Sequence, residues 1–264
     1  MADVRFTHIG GPTTLIEVAG LRLLTDPTFD PPGRRYSFGW GSASRKTTGP
    51  ALTAADLPPI DAVLLTHDQH GDNLDAAGRA LLPAAGVVLT TPSAAGRLGG
   101  NAVGLAAWQT ATVGSGDQRI VVTATPARHG PPLSRAITGE VTGFALHRPD
   151  RADGALWISG DTVLHDGVRQ VAERMSVATA VLHLGAVRFG ITGPVRYTMN
   201  APEAVELCRL LRPRTVLPVH YEGWGHFREG REVVERAFAA APADVRSALR
   251  WLPIGTRVTL PDTG

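Results

Sequence analysis

Four short apolar runs in this 264-residue chain each stop at a histidine or an aspartate. Leu64-Leu65-Thr66 runs into His67-Asp68-Gln69-His70-Gly71-Asp72-Asn73-Leu74-Asp75. Val121-Val122-Thr123-Ala124-Thr125-Pro126-Ala127-Arg128 runs into His129-Gly130, Leu156-Trp157-Ile158-Ser159-Gly160 into Asp161-Thr162, and Val216-Leu217-Pro218-Val219 into His220-Tyr221. A short continuous apolar run bounded by turn residues reads as a strand buried on both faces. Strand ends that converge on one edge of a sheet put their side chains in a shared cleft.

The rest of the pattern frames those strands. Strands are expected at 4–7, 13–18 and 21–25, with Ala19-Gly20 as a hairpin turn, then at 61–66, 87–91, 119–125, 141–146, 155–159, 178–184 and 215–219. Helices are expected at 75–82, 166–175, 202–211 and 227–240. The third has Asn200 placed to cap it and Glu203 three residues on, a capping box. Its apolar stripe is Ala204, Leu207, Cys208 and Leu211, and Pro213 stops it. Residues 31–50, with Arg34-Arg35-Tyr36-Ser37-Phe38-Gly39-Trp40, read as one long irregular insertion, and loops of that length are usually functional or disordered. Strands first, then mixed α and β, predict an α/β fold, a four-layer αββα sandwich rather than a Rossmann sheet, with residues 1–264 as one domain.

Composition removes several function classes. At 43% hydrophobic and 19% charged residues, the chain has ordinary globular material for a core. Its net charge is +2, its base is almost all arginine with Lys46 the single lysine, and no basic run marks a nucleic-acid partner. No apolar stretch reaches the roughly 18 residues of a membrane span, and Met1-Ala2-Asp3-Val4-Arg5 lacks a leader pattern. A cytoplasmic protein is expected. Cys208 is the only cysteine, so no intrachain disulfide forms, and its helical stripe makes it a core residue.

Imidazoles and carboxylates suit Zn²⁺ first, with Mn²⁺ and Fe²⁺ as the other fits, and no thiolate competes. A lone histidine at a strand end is more often structural than a ligand. The ordered set His67, His70, Asp72, His129, Asp161 and His220 argues for a metal centre instead.

That ordered set resembles the metallo-β-lactamase superfamily, in the branch of ascorbate-6-phosphate lactonase and the N-acyl-phosphatidylethanolamine phospholipase D-like enzymes. Leu23-Leu24-Thr25-Asp26-Pro27 resembles the branch's early aspartate-proline turn, and the run from Thr66 to Asp75 its first metal motif. Pro126-Ala127-Arg128-His129, Ser159-Gly160-Asp161-Thr162 and Pro218-Val219-His220-Tyr221 resemble the later ligand strands. Thr198-Met199 and Trp224-Gly225-His226-Phe227 also fit, so the likeness extends from about Val4 to Leu260. It departs at one place: the family motif is His-x-His-x-Asp-His, whereas this chain has His67-x-x-His70-x-Asp72-Asn73. Anchored on the strand end, Gln69 takes the second ligand position. Anchored on Asp72-Asn73-Leu74-Asp75, His70 takes it, and a one-residue bulge reconciles the two. Asn73 then replaces the last histidine as a weak oxygen donor, which puts the second metal position in question.

The resemblance implies a hydrolase that holds one or two divalent metal ions, Zn²⁺ first, and cleaves an ester-type bond, a lactone or a phosphodiester, with a metal-activated water. It implies His67, His70 and His129 at one site, Asp161 as the bridge, and Asp72 with His220 at the other. Asp72 also serves as the candidate proton acceptor, and His226 as a catalytic residue lining the pocket. Asp26 would orient a ligand histidine. His183 reads as buried and hydrogen-bonded, His165 as facing the cleft, and His8 and His147 as structural or surface residues. Arg188 and Arg196 lie where an arginine fork would suit a small, anionic substrate. Two other classes stay open: an iron-dependent redox enzyme on the same fold, and a metal-binding module with impaired catalysis.

Overall fold

The computed structural model describes residues 4–39, 41–149 and 154–260. Met1, Ala2 and Asp3, read for a leader, and Trp40 of the insertion lie outside the described residues. The chain opens with three antiparallel strands, β1 (Val4–Gly10), β2 (Thr13–Val18) and β3 (Leu21–Thr25). A small hairpin follows, β4 (Arg35–Ser37) with β5 (Ala43–Arg45). Strands β6 (Ala62–Leu64), β7 (Val87–Thr90) and β8 (Ala102–Gly104) then alternate with helices α1 (Ala76–Leu81) and α2 (Pro92–Leu98).

The second half begins with the antiparallel strands β9 (Thr110–Ser115), β10 (Gln118–Pro126), β11 (Thr142–His147) and β12 (Ala155–Ile158). One turn of helix, α3 (Arg135–Thr138), lies between β10 and β11. Helix α4 (Asp166–Arg174) leads to β13 (Val177–His183), and α5 (Ala201–Leu211) to β14 (Thr215–Val219). Helices α6 (Arg231–Ala239) and α7 (Ala243–Ala248) precede the last strand, β15 (Arg257–Leu260).

Two sheets result, ordered β15-β1-β2-β3-β6-β7-β8 and β14-β13-β12-β11-β10-β9. Their facing sides bury Phe6, Ile16, Leu23, Leu64, Ile120, Phe144, Ile158 and Leu217 in one core. Each such side chain contributes about 1.5–3 kcal/mol on leaving water. The outer face of the first sheet packs Leu24, Val63 and Leu65 with Leu74, Leu82 and Ala77 around α1. On the outer face of the second, Trp157, Ala180 and Leu182 meet Val168 and Val171 of α4, Leu207 and Cys208 of α5, and Val234 and Phe238 of α6. The four layers are helix, sheet, sheet, helix, the αββα arrangement expected from the sequence.

Strand direction decides where the polar strand ends meet. In the second sheet β12, β13 and β14 are parallel, and β10, antiparallel to β11, runs the same way as β12. In the first sheet β3, β6 and β7 are parallel. The segments after β3, β6, β10, β12, β13 and β14 therefore emerge at carboxyl ends, where open α/β sheets place their sites.

Two expectations need correction. The insertion 31–50 is not wholly irregular: β4 and β5 pair from Arg35↔Arg45 to Ser37↔Ala43. The helix expected at 227–240 starts only at Arg231, after the N-cap Gly230, and His226 and Phe227 precede it outside any helix, with ring centroids 4.8 Å apart.

Candidate metal centre

The motif after β6 is held from both ends. At its start the buried Asp26 carboxylate accepts the Thr66 backbone N–H at Oδ1 (2.7 Å) and the Thr66 hydroxyl (3.0 Å). At its end Leu74 inserts into the outer core, and Asp75 caps α1 by accepting the Gly78 N–H (2.9 Å). Gly78 is needed there, since a Cβ would stand 1.8 Å from the Pro27 carbonyl oxygen. Asp75 also accepts from Lys46 Nζ (3.0 Å), so the one lysine is a buried ion pair fastening the insertion to the motif. Within the insertion Tyr36 packs directly over Gly71.

Between those anchors the histidines converge. His67 Nε2 lies 2.9 Å from His70 Nδ1, which lies 3.1 Å from His129 Nε2. His129 donates from Nδ1 to the Tyr197 carbonyl (2.7 Å), and His67 Nδ1 meets the Thr66 hydroxyl (3.1 Å). The His67 and His129 rings are thus oriented from behind with the other nitrogen aimed at the shared point, as outer-shell partners do for metal ligands. Burial, reinforced by neighbouring imidazoles, holds His67 well below its usual pKa and His129 at about 3. Both are in the neutral form that binds metal.

The second group consists of Asp72, Asp161 and His220, whose ligand atoms lie within 4.8 Å of one another, as do those of His67, His70 and His129. His220 Nε2 is 3.3 Å from Asp72 Oδ2 and 3.4 Å from Asp161 Oδ2. Asp161 Oδ2 is also 3.7 Å from His129 Nε2, so this carboxylate stands between the two groups. The turn that delivers it depends on Gly160, at φ +62°, where a Cβ would meet the Thr142 carbonyl oxygen at 2.4 Å. His220 is itself at φ +56° and Asp26 at φ +33°, conformations costly for non-glycine residues and common at functional sites. Burial raises Asp161 to about 6. Burial acts against charge on His220 too, but the Asp161 and Asp72 carboxylates outweigh it and push that imidazole up to about 9.

Asp72 Oδ1, Asp161 Oδ2 and His220 Nε2 are buried without a hydrogen-bond partner. Orphaned buried polar atoms are rare and call for an explanation. A divalent cation between carboxylate oxygens and an imidazole nitrogen supplies one, so the residues present fit a metal.

The structure brings together all six ligand-type residues singled out in the sequence, and His226 with them. His226 Nε2 lies 2.9 Å from Asp72 Oδ2, and its ring stacks on Phe189 (5.1 Å, 19°). Other expectations shift. The Gln69 amide faces the Asp68 carboxylate and the Arg97 guanidinium, while His70 stands beside His67. Asn73 directs its amide nitrogen toward Thr66 Oγ1 (3.4 Å) and Asp161 Oδ1 (3.5 Å), and its Oδ1 is buried without a hydrogen-bond partner. Asp26 orients a ligand-type histidine only through Thr66, and it meets His183 directly (3.1 Å). His165 does not face the cleft: its Nδ1 accepts the Gly167 N–H (3.0 Å) and caps α4. Arg196 is no free fork, because both its terminal nitrogens are bonded to Glu203 (2.7 and 2.8 Å). Cys208 is buried in α5 with its thiol pushed up to about 12, a core residue as expected. Sequence reasoning missed Thr66, the Tyr197 carbonyl and the Lys46–Asp75 pair. The lone lysine was the available signal for the last.

The family model for the β-lactamase superfamily domain matches residues 21–221. A metal-dependent hydrolase of Pyrobaculum calidifontis is 29% identical over 227 residues, covering 83% of this chain and 84% of the relative. Among solved structures, the isothiocyanate hydrolase from Delia radicum gut bacteria superposes with a TM-score of 0.80 at 20% identity, over 97% of this chain and 98% of that one. The diiron β-hydroxylase CmlA of Streptomyces venezuelae superposes with a TM-score of 0.68 at 21% identity, over 98% of this chain and 54% of its own. These two likenesses concern the fold. With the family model matched over most of its length, the chain belongs to the β-lactamase superfamily.

Proposed function

We propose that the chain is a metal-dependent hydrolase that cleaves an ester-type bond, a lactone or a phosphodiester, with residues 1–264 acting as one cytoplasmic domain. One observation carries the reading: two groups of ligand atoms, each within 4.8 Å, with the Asp161 carboxylate between them at 3.7 Å from His129 and 3.4 Å from His220. In this reading His67, His70 and His129 would hold one divalent ion, Asp72 and His220 would hold a second, and Asp161, standing between the two groups, would serve both. Zn²⁺ is the first candidate for that donor set. Ions bound there supply a water of lowered pKa and polarise the attacked oxygen.

The protein's own groups do the rest. His67 and His129 keep Nε2 free for a metal because Thr66 and the Tyr197 carbonyl engage Nδ1. Asp72 lines the adjoining cavity, and where it does not hold the second ion its unpartnered Oδ1 would instead accept the proton of the attacking water. His226 Nε2 donates to Asp72 Oδ2 and fixes that carboxylate. Burial of Asp72, Asp161 and the histidines keeps bulk water from competing. The likeness of the ordered set of motifs, from Asp26-Pro27 to His226-Phe227, to the lactonase and phospholipase D-like branch supports the ester class. The test is a lactone and phosphodiester panel on protein of known metal content. Turnover that scales with bound zinc or manganese supports the reading, and inert protein with full metal occupancy overturns it.

A second reading has one observation in its favour. The diiron β-hydroxylase shares the fold, and a histidine–carboxylate donor set also suits iron. Purified protein that carries iron and absorbs visible light would favour redox chemistry, and colourless zinc protein hydrolysis.

A further inference from the structure

We infer that the substrate is small, uncharged and largely apolar, an inference that rests on the hydrolase reading and narrows it to neutral esters and lactones. A cavity of about 310 Å³ opens on His70, Asp72 and His129. Its remaining walls are mostly Phe38, Ile137, Val187, Phe189, Ile191 and Tyr197, and the polar groups among them are uncharged hydroxyls, those of Ser42, Thr138, Thr192 and Tyr197. Phe38, Phe189 and Tyr197 form a connected aromatic wall, with ring centroids 5.1 and 5.9 Å apart. The volume is at the small end of ligand pockets. It admits an aryl or short alkyl group, not a nucleotide or a long lipid.

No lysine or arginine among the described residues lines this cavity. Of the candidate cations nearby, Arg188 is not among the residues that line the cavity, although its neighbours Val187 and Phe189 are. Arg196 is bonded to Glu203, and Lys46 to Asp75. A neighbouring cavity of about 210 Å³ reaches His129 but neither His70 nor Asp72. There Arg135 pairs with Glu140, and Arg128 Nε donates to the Gly130 carbonyl. A carboxylate or phosphate away from the reacting bond would lose its hydration against Phe38 and Phe189 with no partner in return.

The rim is apolar as well. Ile137 and Ile191, on the cavity wall, are 40% and 67% exposed. Most of the exposed large hydrophobics elsewhere are scattered singly, which is ordinary. Apolar side chains grouped at the mouth of an apolar cavity lose water contact when a matching substrate seats on them.

The experiment uses zinc-loaded protein and 4-nitrophenyl esters of lengthening acyl chain, beside an acyl chain ending in a carboxylate. Expected is a rise in kcat/KM of about three- to fourfold per methylene until the cavity is full, and at least tenfold discrimination against the carboxylate. Ile191→Lys, at an exposed position that leaves the core intact, should lower turnover of the neutral esters and raise that of the charged one. Hydrolysis without chain-length preference, or with the charged ester equal or better, overturns the inference while leaving the hydrolase reading standing. Metal-free protein provides the separate readout. Binding of ethoxybenzene but not 4-ethoxybenzoate in calorimetry supports the pocket assignment even where no ester is turned over, whereas equal binding of both contradicts it.

Discussion

Asp161 Oδ2 stands 3.4 Å from His220 Nε2, both buried and neither hydrogen-bonded. A carboxylate and an imidazole left in that state are poised to share a cation. Asp161→Ala should abolish hydrolysis and remove metal from both positions, because the carboxylate lies between the two groups of ligand atoms. Elemental analysis of the purified variant reads the outcome, and full metal occupancy would refute the bridging role.

The register of the altered motif is tested by three variants. His67→Ala and His70→Ala should each lose metal, while Gln69→Ala keeps it, since the Gln69 amide faces Asp68 and Arg97. Metal loss in Gln69→Ala equal to that of the histidine variants would show the opposite register.

Thr66 orients His67 while being held by Asp26. Thr66→Val keeps the shape and removes the hydroxyl. Metal affinity, followed by competition with a chromophoric chelator, should fall about 10–100-fold, the usual cost of an outer-shell contact. Unchanged affinity would mean that the hydroxyl has no part in presenting His67.

Metal-free protein should be most stable near pH 6.5. Burial depresses the imidazoles of His67, His70, His129 and His183, the last two to about 3. In the unfolded chain they take up protons below about 6.5. Their contribution is therefore full above that pH and is lost on acidification, by at most about 1.4 kcal/mol per pH unit for each imidazole. Asp26 and Asp161, raised by burial to about 7 and about 6, act in the opposite sense between about pH 4 and 7, but two carboxylates oppose four imidazoles. His220, carried against its burial to about 9 by Asp161 and Asp72, contributes stability that is lost as pH rises from 6.5 through 9. Urea unfolding of chelator-treated protein across pH 4–9 checks this, and stability that rises steadily on acidification from pH 6.5 to 4 would contradict it.

How much of this was legible follows from the kind of signal each element carries. The strands β6, β12, β13 and β14 are short, mostly apolar runs, and the polar residues that follow them stand out against them. The α5 capping box was also readable, because Asn200 and Glu203 act within one turn. The edge strands β8 and β9 carry no such signal: β9 has a single buried residue, and β8 has none. The β4–β5 hairpin is written in pairing between residues six to ten apart, among residues that read as loop. Arg196 looked free because its partner Glu203 is seven residues on and already had a role as the N3 residue of a capping box. Gln69 and His70 could not be separated by spacing alone, because loop geometry after β6 decides which of them meets His67.

The most direct test of the account is the activity of one preparation before and after complete removal of metal. On a neutral ester or lactone, kcat/KM should fall at least about 1,000-fold on chelation, return in proportion to zinc added back, and rise with pH through an ionisation near about 7. Cys208→Ala, assayed alongside, should show the same profile, since that thiol is buried in the outer core. Activity that survives complete chelation, or that vanishes in Cys208→Ala with metal bound and the fold intact, would contradict a metal-dependent hydrolysis at this centre.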